Sequence, residues 1–221
     1  MKVKFCGITN LEDAKNAIAR GAGYLGFIVD FPKSPRSVSI GKFLKLAEEI
    51  KTLKSVSKNF PKIVAVTVNM EESKLLKLAS SGLVDVLQFH GDEAPEFCSR
   101  FKKNIEVWKS FKIKGEENEK DKKTELEKYL GKIDKFLLDA SSAEDKAGGK
   151  KIKFENYKIF TRLRKLGWPL ILAGGISPLN IDSYINKLKP EIIDVSQGVE
   201  DYPGKKSNDK MKLLMKNIIA E

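Results

Sequence analysis

Eight short apolar runs, each followed by a segment of helical period, predict an α/β protein: a single-domain (β/α)8 TIM barrel covering residues 1–221. The length agrees, because 221 residues fit one such barrel and leave no material for a second large domain. No Pro/Gly/Ser-rich linker and no short-period repeat divides the chain. An open, doubly wound sheet would usually need a glycine-rich turn after its first strand, and this chain has none.

The strand candidates are Val3–Cys6, Tyr24–Val29, Ile63–Val68, Val84–Phe89, Ile105–Phe111, Phe136–Leu138, Leu170–Ala173 and Ile192–Val195. They are compact and rich in Val, Ile, Leu and Phe, as strands covered on both faces should be. Thr9, with Glu12 three residues later, reads as a capping box for the first helix, whose apolar face is Leu11, Ala14, Ala17 and Ile18. Leu75, Leu76, Leu78 and Ala79 give the third helix its buried side. Lys112–Lys128 sets six lysines against six acids, the composition of a solvated loop and an exposed helix. Ser177-Pro178 reads as an N-cap followed by proline at the first helical position.

Composition narrows the function classes. Hydrophobic residues at 41% and charged residues at 32% describe a soluble globular protein. The net charge of +11 suits an anionic partner or simply a lysine-rich surface. The excess is spread along the chain, with seven basic residues against three acidic over 30–60 and eight against three over 141–169. No interleaved aromatic pattern accompanies it, which argues against nucleic acid. Two cysteines and one histidine leave no spacing for a disulfide framework or a structural zinc site, so no metal is expected. The first residues lack the apolar core of a signal peptide, and no stretch approaches the roughly 18 apolar residues of a membrane span. A cytoplasmic protein with no membrane partner is the expectation.

Sites in this fold gather at the C-terminal ends of the strands, which turns the strand list into a site list. Cys6 ends the first strand and His90 the fourth, Asp139 follows the sixth, and Arg36 lies in the Asp30–Ser39 loop after the second. Gly174-Gly175 follow the seventh strand and Ser196-Gln197-Gly198 the eighth, where bare backbone lets N–H groups approach a phosphate. Cys6 is either a buried small hydrophobe or a thiolate base whose pKa nearby positive charge would lower. A buried Asp139 would suit general-acid work, with a cap or an internal ion pair as its structural alternative. Arg36 suits bidentate recognition of a carboxylate. His90 reads as a packed or hydrogen-bonded residue at least as readily as a catalyst and is assigned no chemistry, Cys98 reads as core, and Asp194 has a structural and a functional reading equally open.

Six segments, in order, resemble the phosphoribosylanthranilate isomerase family of tryptophan biosynthesis. They are Lys4–Thr9, Pro32–Arg36, Gln88–Glu93, Leu137–Asp139, Ala173–Ile176 with Pro178 and Asn180, and Asp194–Ser196 with Gly198–Glu200. The resemblance implies a cofactor-free Amadori rearrangement of N-(5-phosphoribosyl)anthranilate to 1-(2-carboxyphenylamino)-1-deoxyribulose 5-phosphate. It implies Cys6 as general base, Asp139 as general acid and Arg36 on the anthranilate carboxylate. Gly174, Gly175, Ser196 and Gly198 would hold the phosphate. Either a monomer or a homodimer is compatible with the family. The chain departs from the family's pattern at Lys151-Ile152-Lys153, in a strand-2 loop one residue longer, at Gln197 and at Ala140. A histidine-pathway isomerase, the nearest alternative, would carry aspartate on its first strand where this chain has Cys6.

Overall fold

The computed structural model describes residues 1–56, 60–113, 118–140 and 157–219. Eight parallel strands form the barrel: β1 (Lys2–Cys6), β2 (Tyr24–Val29), β3 (Lys62–Thr67), β4 (Val86–Phe89), β5 (Glu106–Lys112), β6 (Lys135–Asp139), β7 (Leu170–Ala173) and β8 (Ile192–Val195). Each pairs with the next, and β1 pairs with both β2 and β8, so the sheet closes. All eight sequence-predicted strands form, with ends moved by no more than two residues. The helices are α1 (Leu11–Ala19), α2 (Ile40–Thr52), α3 (Glu72–Ala79), α4 (Pro95–Ser99), α5 (Glu119–Glu127), α6 (Lys158–Lys165), α7 (Ile181–Leu188) and α8 (Asn208–Ile219). A two-residue strand, Ser37–Val38, lies beside β2, and a hairpin of Glu200–Tyr202 with Lys205–Lys206 follows β8.

Successive strand residues point to opposite faces, and that alternation builds two apolar layers. Cys6, Tyr24, Val64, Val66, Val86, Trp108, Leu137, Ile171, Ala173 and Ile192 fill the barrel interior. Residues one step along, such as Phe5, Leu25, Phe27, Leu87, Phe136 and Ile193, pack outward against the helices. The exposed α5 agrees with the balanced charge of its sequence, since Leu126 is its one buried residue. Among the described residues no helix is long and apolar enough to cross a membrane.

Three local expectations need correction. The N-cap of α1 is Asn10, whose side-chain oxygen accepts the Asp13 N–H at 2.9 Å. The Thr9 hydroxyl instead donates to the Gly204 carbonyl at 2.6 Å, so it serves the distant hairpin. Helix α7 begins at Ile181 with Asn180 as N-cap, and Pro178 lies in the turn before it. There the Asn180 side chain reaches back to accept the Ser177 N–H at 2.8 Å. In α3, Leu75 and Leu78 are buried and Ala79 is partly so, but Leu76 is exposed on the outer face.

Trp108 is fully buried in the interior layer, edge-on to Tyr24 at 4.9 Å between ring centroids, with its N–H donating to Glu106 at 2.8 Å. Trp108→Ala should cost about 3–5 kcal/mol in chemical denaturation, because the close-packed barrel cannot collapse onto the void.

Candidate active site

Register fixes which side chains meet at the mouth of the barrel. Asp139, the last residue of β6, pairs with Ala173 on β7, Ala173 pairs with Asp194 on β8, and Asp194 pairs with Lys4 on β1. Lys4 and Cys6 share the inward face of β1, as Leu137 and Asp139 share that of β6. The expected base and acid therefore stand on β1 and β6 with β7 and β8 between them, both facing the barrel interior at its C-terminal end. Asp139 is half-buried, and its carbonyl accepts the Ile113 N–H at 2.9 Å.

Cys6 is buried, and its surroundings differ from the expected electropositive pocket. Burial first and the Asp194 carboxylate second push its thiol above the usual range, against the opposing pull of Lys4 and Lys206. The expectation of a lowered pKa is thus overturned, because desolvation and a neighbouring anion outweigh the two cations. Lys4 keeps its charge despite complete burial, since Asp194 and Cys6 raise its proton affinity by more than desolvation lowers it.

Arg36 lies across the entrance, against β1: a Cβ on Gly7 would come within 2.7 Å of its Cδ. Its guanidinium forms a fork with Glu200, Nε to Oε1 at 2.8 Å and Nη2 to Oε2 at 2.6 Å. The Nη1 edge has no acceptor among the described residues, so one face of the fork stays available to a second carboxylate. Glu200 also accepts from the buried Lys206 ammonium at 2.7 Å. Burial works against the Glu200 charge, yet Arg36 and Lys206 hold its carboxyl below the usual range. Burial pushes the Lys206 ammonium down, with Glu200 opposing.

The glycine loops are held by side chains behind them. Gly174 and Gly175 have φ values of 103° and 63°, which L side chains adopt only under strain. The hydroxyls of Tyr184 and Tyr157 lie 3.0 and 3.2 Å from the Gly174 carbonyl, and Asn180 donates to the Gly175 carbonyl at 2.8 Å. The Gly175 N–H donates to nothing among the described residues. Gly198 fits tightly beneath this turn: a Cβ there would lie 2.0 Å from the Ile176 carbonyl oxygen. The loop after β7 is thereby stacked on the one after β8. The Ser196 carbonyl accepts from Lys206 at 3.2 Å, which fixes the start of that second loop.

His90, one inward step beyond Gln88, meets the Gln88 amide through Nδ1 at 3.4 Å. Burial and the Lys4 charge push its pKa down to about 4, so it is neutral near pH 7. Cys98 is fully buried, with its thiol pushed up to about 12 by desolvation. Thr67 Oγ1, Gln88 Oε1 and Asp194 Oδ1 are buried without hydrogen-bond partners among the described residues. Lys151-Ile152-Lys153 and the neighbouring Gly148-Gly149 lie outside the described residues. Three charged residues packed around the candidate site escape a reading by strand ends: Lys4, Glu200 and Lys206. Lys4 was legible by period, because it sits two residues before Cys6 on the same face. Glu200 closes one of the segments that carry the family resemblance, and nothing local marks Lys206.

Titratable groups converging at the C-terminal mouth of a closed parallel barrel, beside two stacked glycine loops, define a (β/α)8-barrel enzyme of the proton-transfer type. The family model described as N-(5'-phosphoribosyl)anthranilate (PRA) isomerase matches residues 3–217, and the chain belongs to that family. The N-(5'-phosphoribosyl)anthranilate isomerase of Aquifex aeolicus is 38% identical over 221 residues, covering all of both chains. The crystal structure of phosphoribosyl anthranilate isomerase from Thermotoga maritima aligns over all of both chains with TM-score 0.83 and 33% identity. A phosphoribosyl anthranilate isomerase in complex with reduced 1-(o-carboxyphenylamino)-1-deoxyribulose 5-phosphate aligns equally completely, with TM-score 0.80 and 32% identity.

The unfolded chain protonates His90 near its ordinary value of 6.5, but the folded protein does so only near 4. The unfolded state therefore binds more protons across that window, and stability falls as pH drops through it. Denaturant titrations at stepped pH should show this loss, and His90→Gln should flatten it. NMR of the single histidine should show no titration near pH 6.5.

Proposed function

We propose that this chain converts N-(5'-phosphoribosyl)anthranilate into 1-(2-carboxyphenylamino)-1-deoxyribulose 5-phosphate, with Asp139 as general acid and Cys6 as general base. The observation that carries the reading is the placement of a thiol and a carboxylate on inward positions at the ends of β1 and β6, in a chain of this family. The relative solved with a reduced product analogue supports the substrate class.

The chemistry asks for two proton transfers. A protonated Asp139 gives its proton to the furanose ring oxygen, the C1–O bond breaks, and the anthranilate nitrogen lone pair forms a Schiff base. The adjacent cation acidifies the C2 proton. Cys6, as thiolate, takes that proton, and the electrons of the C2–H bond neutralise the iminium to give an enolamine. Tautomerisation to the ketone completes the rearrangement. Only protons and one ring bond change, so the steps call for no metal or cofactor. The Nη1 edge of Arg36 would receive the anthranilate carboxylate beside Glu200. The Gly175 N–H and the loop from Ser196 to Gly198 would receive the phosphate. A substrate bearing two anionic groups also suits a protein of net charge +11. This reading implies a cytoplasmic enzyme that needs no nucleic acid.

The test follows the fluorescence of freshly made phosphoribosylanthranilate. Cys6→Ala and Asp139→Asn should each lose about 10²–10⁴-fold in kcat while remaining folded. Near wild-type kcat in either variant would remove that residue from its role. Arg36→Met should mainly raise KM, because it removes a contact made before the chemistry begins. Tyr184→Phe should likewise raise KM with kcat held, through a loosened Gly174 carbonyl.

A further inference from the structure

The barrel interior holds a charged pair that the proton transfers above leave unused. The Lys4 ammonium, fully buried, lies 2.9 Å from Asp194 Oδ2 on the neighbouring strand. Asp194 is nine-tenths buried, and its other oxygen has no hydrogen-bond partner among the described residues. The neighbour on the other side of β1 is Gly26, where a Cβ would lie 2.9 Å from Lys4 Nζ and 3.0 Å from Cys6 Sγ. Ammonium and thiol thus pass over the same bare patch of β2. They are within about 6 Å of one another, the range in which a charge alters a neighbour's proton affinity.

A buried ion pair is a poor way to stabilise a fold. Desolvating both charges consumes most of their attraction, and an apolar pair of similar volume packs as well or better. Other buried polar side chains face the same interior, but Gln88 and Ser110 are uncharged and hydrogen-bond each other at 3.0 Å, so a charged pair here needs a use other than packing.

We propose that Lys4 and Asp194 are positioning residues for Cys6: the ammonium is the counter-ion of the thiolate, and the aspartate anchors that ammonium while offsetting its charge. The inference rests on the reading of Cys6 as general base. With Asp194 ionised, Lys4 is already compensated and the buried thiol stays protonated at rest. Weakening the hold of Asp194 on Lys4 leaves sulfur as the ammonium's nearest anionic partner. The free Oδ1 of Asp194 gives an arriving substrate donor a place to draw the carboxylate away. Base formation would then follow substrate entry.

The other charged and titratable groups around Cys6 are fewer in effect. Arg36 from the loop after β2 and Lys206 from the hairpin after β8 both share Glu200. His90, just after β4, is neutral above about pH 4. Lys109 on β5 is paired with Glu93 at 3.5 Å, and Asp139 stands at the end of β6. Lys4 and Asp194 are the pair whose removal reads most directly at sulfur.

The test measures the rate of Cys6 alkylation by iodoacetamide against pH, located by peptide mass spectrometry. It reports the thiolate midpoint without reference to turnover. The Cys98 thiol, pushed up to about 12, stays outside the range. Asp194→Asn should lower the Cys6 midpoint by about one unit or more, and the acid limb of the kcat/KM profile should move the same way. Lys4→Met should raise it. Should Lys4→Met fail to fold, the double variant Lys4→Met/Asp194→Asn removes both charges together, and its midpoint should lie above that of Asp194→Asn. An unchanged midpoint in folded Asp194→Asn would overturn the proposal. Full activity of Cys6→Ala would be a different result: it would dismiss the base, while the alkylation midpoints would still report the coupling.

Discussion

Closure of the sheet through β1 is the constraint on which the rest of this structure depends. Because β1 is hydrogen-bonded on both sides, its inward residues take their neighbours from two strands. Lys4 is set against Tyr24 and Asp194, and Cys6 against Gly26. A one-residue slip in either pairing would turn every β1 side chain to the opposite layer. Lys4 would then face the apolar shell under the helices, where no carboxylate compensates it. The two layers and the charged interior therefore require the same register.

Charges taken inside the molecule share partners, and the sharing ties distant segments together. Glu200 serves both Arg36 and Lys206, which joins the loop after β2 to the hairpin after β8. Asp13 at the start of α1 accepts from the Lys205 ammonium and the Lys206 N–H, both at 2.8 Å. The Thr9 hydroxyl adds a third link to the same hairpin. Chain segments nearly 200 residues apart thus meet around the end of β1. Arg36, Glu200 and Lys206 are all mostly buried, so removing one would leave a buried charge short of its partner, and these contacts hold the mouth in one arrangement. Most of the lysines and arginines among the described residues play no part in this and are at least partly exposed.

The fold was legible because strands covered on both faces leave a strong record: short, continuous apolar runs that helices must separate. Asp139, Gly174, Gly175, Ser196 and Gly198 were legible for a related reason, since chemistry-bearing or bare residues directly after such runs fall at one end of the barrel. Local rules failed where a residue's partner is far away in sequence. Thr9 satisfies the pattern of a capping box, but Gly204 takes its hydroxyl and Asn10 takes the cap. Ser177-Pro178 has the form of a helix start, yet Asn180 captures the Ser177 N–H and the helix waits for Ile181.

The sequence by itself determined the number and order of strands, the two-residue alternation along each, and the positions that reach the barrel mouth. These follow from local periodicity and from hydrophobic burial, which act on neighbours in the chain. Only the tertiary structure decided the electrostatic character of those positions. Cys6 has a raised proton affinity because the loss of water and, after it, a carboxylate from β8 outweigh two lysines, one on its own strand and one 200 residues on. Arg36 is half committed because Glu200 folds back over the entrance. Coulomb interactions and desolvation depend on distance through space, and that distance is set when the barrel closes.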